Sequence, residues 1–155
     1  MARWGRVDDS QFRAFAKAIE KLSDSEMDKL CIDCSKALAA RLLALVIPAT
    51  KPGNYPKGSG KKGGTLRRGW GAKSASAAAG YAESLVVQKS GNVYTVEIVN
   101  PVYYASYVEF GHRTVNGGWV NGKYMLTVSE ERLKRIAPSV LETMVLKKIR
   151  EACDV

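Results

Sequence analysis

The stretch "KPGNYPKGSGKKGGTLRRGWG", residues 51–71, divides the chain into two parts with different hydrophobic periods. Residues 51–81 contain eight of the fourteen glycines and seven lysines or arginines, and no acidic residue lies between Asp33 and Glu83. A segment of this composition has too few apolar side chains to order itself by burying surface. We therefore predict a long mobile basic loop over residues 51–70.

Two helices are predicted ahead of the loop. The first starts near Asp9 and has its apolar residues three and four positions apart on one face: Phe12, Phe15, Ile19 and Leu22. The second begins with a capping box, in which Ser23 is the N-cap and Glu26 reaches back to it. Its apolar stripe is Met27, Leu30, Cys31, Cys34, Leu38, Leu42, Leu45 and Val46. Pro48 and the loop should end it.

Beyond the loop, apolar residues alternate with polar ones. Leu85 and Val87, and then Tyr94, Val96 and Ile98, flank the turn residues 90–92, which predicts an antiparallel hairpin with one buried face. Residues 101–110 suit a short helical turn that leads into a strand. Asn121-Gly122, just after Trp119, is a strong turn signal and predicts a second hairpin.

The chain closes with a predicted helix. Thr127 and Glu130 can form a capping box, and Pro138 should kink the helix or restart it. The order of elements indicates an α+β fold in one domain, residues 1–155. It would hold an antiparallel sheet of about four strands, with the two N-terminal helices and the C-terminal helix packed on one side.

Two pairs of residues could carry chemistry. Cys31-x-x-Cys34 resembles half of a zinc or redox site, but no second ligand pair follows and both thiols lie in an apolar stripe, which favours buried reduced cysteines. Glu109 and His112, the only histidine, could ligate a metal or act in a hydrolase, yet they lack a third ligand or a nucleophile. We predict no enzyme activity, metal or cofactor, and interpret Glu109, His112 and Arg113 as a polar cluster at a turn or subunit contact.

The basic loop leaves several functions open. The formal net charge of +9 predicts attraction to polyanions or to an acidic protein surface. "GSGKKGGT" lacks the spacing of a phosphate-binding loop, so nucleotide binding is not indicated. A plain solvated loop and sequence-independent contact with DNA phosphates both stay open. No apolar run is long enough for a membrane span or resembles a signal peptide, so a cytoplasmic protein without membrane contact is expected.

The segment "YYASYVEFGHRT", followed by "GGWVNGKYMLTVSEERL", resembles the signature of the tail-completion or head–tail joining proteins of long-tailed bacteriophages and their prophages. "GGTLRRGW" is similar to the family's Thr-Gly-x-Leu-Arg-Arg pattern, although here two glycines precede Thr65. The resemblance implies a non-enzymatic virion structural protein. The signature residues are Tyr107, Glu109, Gly111, His112 and Arg113, with Trp119, Asn121 and Gly122 in the hairpin.

The same resemblance implies partners and a location. Members assemble as rings, commonly hexamers, around the DNA channel at the head–tail joint or the tail end. The expected partners are other copies of the chain, portal-side connector proteins, and tail tube or tail terminator proteins. The loop residues expected to touch these partners or the DNA are Lys57, Lys61, Lys62, Thr65, Arg67 and Arg68. Assembly would take place in the host cytoplasm. The alternative is a small basic nucleic-acid-binding phage protein.

Overall fold

The computed structural model describes residues 23–153 and, ahead of them, Arg13, Ala16, Lys17 and Glu20, whose backbone is helical. The face predicted for the first helix, Phe12, Phe15, Ile19 and Leu22, lies outside the described residues. The helices are α1 (Asp24–Ala49), α2 (Thr65–Arg68), α3 (Ala78–Glu83), α4 (Ala105–Phe110) and α5 (Met125–Cys153). The strands are β1 (Val87–Ser90), β2 (Val93–Val96), β3 (Gly111–Arg113) and β4 (Trp119–Asn121).

Helix α1 begins and ends close to where the sequence predicts. The amide of Glu26 donates to the hydroxyl of Ser23, and the amide of Ser23 donates to the carboxylate of Glu26, so the capping box is present. Pro48 lies within the last turn, and Thr50 closes the helix by donating from its amide and its hydroxyl to the carbonyl of Val46.

The buried face of α1 differs from the predicted stripe. The fully buried residues are Ala39, Leu43, Val46 and Ile47, of which the predicted stripe contained only Val46. Met27 is exposed, and the other predicted positions are half-buried. The reason is that α1 packs against α3 on one side and α5 on another, so the direction of the core is set by these neighbours. The second half of α1 is apolar nearly all round, and its own period therefore does not identify the core face.

The core lies where the end of α1 meets the segment that follows the basic loop. It consists of Leu43, Val46, Ile47, Trp70, Ala72 and Ala78, with Ala44, Tyr81, Ile98 and Leu126 packed against it. Trp70 is only 4 % exposed, and its indole Nε1 donates to the Thr50 hydroxyl at 2.8 Å. Leu66 is also buried, and its carbonyl accepts from the Asn100 side chain.

The prediction of a loop through residue 70 is therefore wrong at its carboxyl end. Residues 51–64 form neither helix nor strand and are mostly exposed, but Thr65 starts helix α2, and Leu66, Trp70 and Ala72 are buried. Composition alone suggests an unordered segment because its apolar residues are few. The buried ones are Leu66 and Trp70, and the tryptophan packs in the core and so anchors the segment next to it.

The strands form two separate two-stranded antiparallel ribbons in the described part of the chain, rather than one sheet of about four strands. β1 pairs with β2 from Val87↔Val96 to Ser90↔Val93, so the first hairpin and its turn are close to the prediction. In β2, Tyr94 and Val96 are half-buried while their neighbours are exposed, as the alternation predicts. Each ribbon packs on helices instead of on the other ribbon.

The second ribbon has a different turn from the predicted one. β3 pairs with β4 from Gly111↔Asn121 to Arg113↔Trp119, and the turn falls at residues 114–118, where the amide of Thr114 donates to the carbonyl of Gly118. Asn121 is the last residue of β4, and Gly122 follows it rather than forming a turn with it. A Cβ on Gly122 would lie 2.2 Å from the carbonyl oxygen of Glu109, so this glycine allows the backbone to pass close to α4.

Helix α5 starts at Met125 and continues through Pro138 to Cys153. The helix therefore does not restart at Pro138. Thr127 lies inside the first turn and is not an N-cap, so the predicted capping box with Glu130 is wrong. No helix in the described part of the chain is long and apolar enough to span a bilayer.

Candidate interaction site

Glu109 is a buried carboxylate that caps the N-terminus of helix α5. Its Oε2 accepts from the amide of Leu126 at 2.9 Å, and its Oε1 accepts from the amide of Thr127 at 2.9 Å and from the Thr127 hydroxyl at 2.8 Å. The first amides of a helix have no intrahelical acceptor, and a negative charge there is favoured by the helix dipole. Glu109 thus replaces the local cap that the sequence predicts at Thr127.

The backbone next to Glu109 reinforces this join. The amide of Lys123 donates to the carbonyl of Val108, and the amide of Tyr124 donates to the carbonyl of Glu109. Helix α4 is followed directly by its C-cap residue Gly111, whose φ of 88° is a conformation that glycine adopts without strain. A Cβ there would lie 2.4 Å from the carbonyl oxygen of Val120. The signature glycine therefore allows α4 to turn directly into β3.

His112 is the middle residue of strand β3. It pairs with Val120 across the ribbon, and its ring meets the Tyr107 ring edge-on, with centroids 5.8 Å apart. Its Nδ1 is buried and has no hydrogen-bond partner among the described residues. Arg113 is exposed and lies opposite Trp119 in the register of the two strands.

This geometry does not form a metal or acid–base site from Glu109 and His112. Both carboxylate oxygens of Glu109 are engaged by helix α5, so neither is free to orient the imidazole. Within the described residues, no three His, Cys, Asp or Glu side chains are close enough to hold a metal ion. Among the signature residues, Glu109 and Gly111 stabilise the local fold, and the aromatic side chains beside them are exposed.

An aromatic surface surrounds this join. It consists of Tyr103, Tyr107 and Phe110 in and just before α4, and Trp119 on β4, which are exposed by 87, 55, 60 and 60 %. The Trp119 ring lies close to Gly111, because a Cβ at Gly111 would be 3.1 Å from it. Large apolar side chains that share one exposed region mark interaction sites more often than isolated ones do. The sequence placed Tyr107 and Trp119 in the signature but did not show that both side chains are exposed, or that Phe110 between them in the chain is exposed too.

The basic loop, residues 51–64, is closed at its base by two glycines. A Cβ on Gly63 would lie only 2.1 Å from the carbonyl oxygen of Gly53, so the two backbones are in close contact. Lys57, Lys61 and Lys62 are exposed on the part of the loop beyond this contact. The loop therefore projects from a fixed base.

The remaining predicted loop contacts sit on helix α2. Thr65 is its first residue, and Gly64 before it has a φ of 95°. The Arg68 guanidinium donates to the carbonyl of Gly63 and to the Thr65 hydroxyl, each at 3.4 Å, and so folds back on the loop. Arg67 is half-buried.

A basic cleft of about 560 Å³ opens between the loop and helix α4. Its cationic lining residues are Lys51, Lys62, Arg67 and Lys123, and no acidic residue of the described chain lines it. Tyr104 just before α4, Val108 of α4 and Met125 of α5 form its apolar side. The volume is in the range of sites for small molecules or single side chains, and is too small for a nucleic-acid duplex.

The cysteine pair lies on the half-buried part of α1. Cys31 and Cys34 are free thiols, and burial raises the pKa of the Cys34 thiol, helped by the nearby Cys31 and Asp33. A raised pKa disfavours the thiolate that metal binding and redox chemistry require. Both thiols are half-buried and lie outside the fully buried face of α1.

The first hairpin is attached to α1 by a polar cluster that sequence reasoning missed. Asp28 accepts from Lys89 at 2.6 Å and from the hydroxyl of Tyr94. The hydrogen bond from Lys89, and then that from Tyr94, lower the pKa of Asp28. The pKa of Lys89 is raised, chiefly by the same carboxylate. The residues lie more than sixty positions apart, so no local pattern could have revealed the cluster.

Comparison with known protein families finds a match over more than half of the chain. Residues 13–111 match the model of the HK97-gp10-like family, described as a proposed tail component of bacteriophage HK97. Because of this coverage, the protein belongs to the family. No curated protein and no solved structure matches the chain. The family is one of phage tail components, so the protein is a bacteriophage structural protein of the virion that interacts with other virion proteins.

Proposed function

We propose that this protein is a non-enzymatic component of the head–tail joint or tail end of a long-tailed phage or prophage. Copies would assemble in the host cytoplasm as a ring, of six copies in the particle, around the DNA channel. Portal-side connector proteins and tail tube or terminator proteins would be its neighbours. The family membership supports a tail component, and the finer role rests on the exposed surfaces of the fold.

The observation that carries the proposal is the aromatic surface beside the Glu109 cap. Tyr107, Phe110 and Trp119 are each more than half exposed, although they flank a join held by a buried carboxylate and close backbone contacts. A rigid support under exposed aromatic side chains is typical of protein interfaces, where such residues supply most of the binding energy. We assign this surface to contacts with neighbouring virion proteins.

The basic loop supports the same role in a second way. Its lysines project beyond the Gly53–Gly63 contact, so they are available to a neighbouring subunit or to the DNA in the channel. The contact with DNA would be to phosphates and independent of sequence. The alternative function, a dedicated nucleic-acid-binding protein, would place the main binding energy on these same lysines.

A pair of experiments tests the proposal. The first measures the mass of the full chain by multi-angle light scattering over a concentration series at two salt levels, with electron microscopy of the largest species. The second produces phage particles that carry the double variant Phe110→Ser Trp119→Ser. We expect ring-sized species in the first, and unjoined heads and tails in the second.

Val115→Ser is the matched control for the aromatic variant. Val115 is fully exposed in the turn of the same ribbon, so the substitution also removes surface apolar area but outside the aromatic surface. Normal particles with this control and defective ones with the double variant would support the proposal. Normal particles with both variants would contradict it. Micromolar binding to duplex DNA at physiological salt, with a slope indicating several phosphate contacts, would favour the alternative.

A further inference from the structure

A groove with acidic residues at its rim is separate from the basic cleft and shares no lining residue with it. It has a volume of about 330 Å³ and runs between α1, β2 and the first turns of α5. Its floor is apolar and includes Leu38, Leu42, Ile98, Leu126 and Leu133.

Among the described residues, the only charged ones that line this groove are two carboxylates. Glu97 and Glu130 are both exposed, and no described lysine or arginine lines the groove with them. Neither carboxylate forms an ion pair with another described residue, whereas Glu26, Asp28 and Glu83 each pair with a lysine. We refer to this feature as the acidic groove.

The acidic groove and the basic cleft flank the first turn of helix α5. Met125 lines the cleft under the basic loop, and the next residue, Leu126, lines the acidic groove. Successive residues of a helix project about 100° apart, so the two surfaces face different directions. If the loop of one molecule contacts the groove of another, the pair therefore keeps one unoccupied groove on the first molecule and one unoccupied loop on the second.

The shape and chemistry of the groove fit lysine side chains. The long stem of a lysine can lie on an apolar floor while its ammonium group reaches a polar rim. Lys57, Lys61 and Lys62 are exposed on the basic loop, although Lys62 also lines the basic cleft, and no acidic residue occurs in the chain between Asp33 and Glu83.

We propose that copies of this chain associate head to tail, with the lysines of one basic loop placed in the acidic groove of the next copy. The occupant of the groove is the loop segment of residues 57–62, with its ammonium groups against Glu97 and Glu130. An interface of this heterologous kind closes into a ring when the rotation between copies permits it. The inference rests on the proposed ring assembly and names the contact that forms it.

Charge reversal on each side tests the contact. The groove variant is Glu97→Lys Glu130→Lys, and the loop variant is Lys61→Glu Lys62→Glu. Each variant alone should associate at least about tenfold more weakly than the wild type, because like charges would meet across the interface. An equal mixture should regain association, because each reversed surface then finds its complement. Light scattering measures the mass of all four samples, and circular dichroism verifies that each variant is folded.

A matched control removes the effect of net charge. Glu131→Lys Glu142→Lys makes the same change in charge on exposed positions of α5 that do not line the groove. It should associate as the wild type does. Zero-length carbodiimide cross-linking of a mixture of ¹⁴N- and ¹⁵N-labelled chains adds a direct readout, since it joins lysine to glutamate only where the two touch. Cross-links between copies should join Lys61 or Lys62 to Glu97 or Glu130.

The outcomes separate this contact from the ring itself. A ring that persists in both reversed variants would overturn the contact and leave ring assembly standing. A wild-type chain that shows neither a ring nor these cross-links at millimolar concentration would overturn both. If only the loop variant loses association, and duplex DNA binding is lost with it, the loop binds nucleic acid rather than the groove and the proposed contact is wrong.

Discussion

The carboxylate of Glu109 accepts hydrogen bonds from both the amide and the hydroxyl of Thr127, eighteen residues further along the chain. This pair joins the end of the short helix α4 to the first turn of the long helix α5. The join also holds Tyr107 and Phe110 at the surface. The residue that a motif search would propose as a catalytic or metal-binding carboxylate is therefore the one that fixes the frame of the aromatic surface.

Removing the Glu109 carboxylate should destabilise the protein. Glu109→Ala leaves two helix amides and the Thr127 hydroxyl without their acceptor in a buried place, and we expect a loss of about 2–4 kcal/mol in the free energy of unfolding. Urea denaturation followed by circular dichroism measures it. Glu131→Ala, an exposed glutamate on α5, is the control and should change stability by less than about 0.5 kcal/mol. Equal effects of the two substitutions would contradict the capping role.

The Trp70–Thr50 hydrogen bond should show coupling in a double-mutant cycle. Thr50→Val removes the acceptor while keeping its shape and leaves the buried indole N–H unpaired, whereas Trp70→Phe removes the donor and part of a core side chain while the Thr50 hydroxyl keeps its bond to the Val46 carbonyl. We expect each to cost about 1–3 kcal/mol, and the double variant to cost less than the sum. Strict additivity of the unfolding free energies would show that Trp70 and Thr50 do not interact in solution.

Two glycines should respond to alanine with opposite signs. Gly63→Ala places a Cβ within 2.1 Å of the carbonyl oxygen of Gly53, so the base of the loop must open and stability should fall by about 1–3 kcal/mol. Gly80 lies in helix α3, and a Cβ added there would meet no neighbouring atom of the described residues within 4 Å. Gly80→Ala should therefore raise stability by about 0.5–1 kcal/mol through helix propensity. Thermal melting of both variants beside the wild type provides the comparison, and a stabilising Gly63→Ala would show that the loop base is open.

Because of the cluster of Asp28, Lys89 and Tyr94, we expect the free energy of unfolding to depend on pH in the acid range. The pKa of Asp28 is lowered in the folded state, so its contribution is fully present above the unfolded value near 3.8 and is lost as the pH falls through the lower folded value. Asp28→Asn should therefore lose less stability than the wild type between pH 5 and pH 2. Urea midpoints at several pH values measure the difference. Asp33→Asn, an exposed change on the same helix, should follow the wild type.

The raised pKa values of Lys89 and Tyr94 make the stability depend on pH in the opposite direction. Their contributions are present below their unfolded values, near 10.5 and 10.0, and are lost as the pH rises through the folded ones. Stability supplied by this cluster should thus decline at both ends of the pH range. A wild-type profile that stays flat from pH 9 to pH 12, or that matches Asp28→Asn there, would argue against the cluster.

The sequence by itself determined the features that depend on neighbouring residues. These are the capping box of Ser23 and Glu26, the first hairpin with Tyr94 and Val96 on one face, the short helix ahead of β3, and the membership of the phage family. Each depends on residues a few positions apart, whose spacing along the chain is also their spacing in the local structure.

Only the tertiary structure decided which face of α1 is buried and that the strands form two ribbons. It also decided that Trp70 orders the carboxyl end of the predicted loop and that Glu109 caps α5. Each of these depends on contacts between residues that lie far apart in the chain, such as Thr50 with Trp70, Leu66 with Asn100, and Glu109 with Thr127. A helix that is apolar on several sides, or a loop with one tryptophan, has more than one way to bury its surface. The choice is made by the partner that packs against it, and the local sequence does not contain that partner.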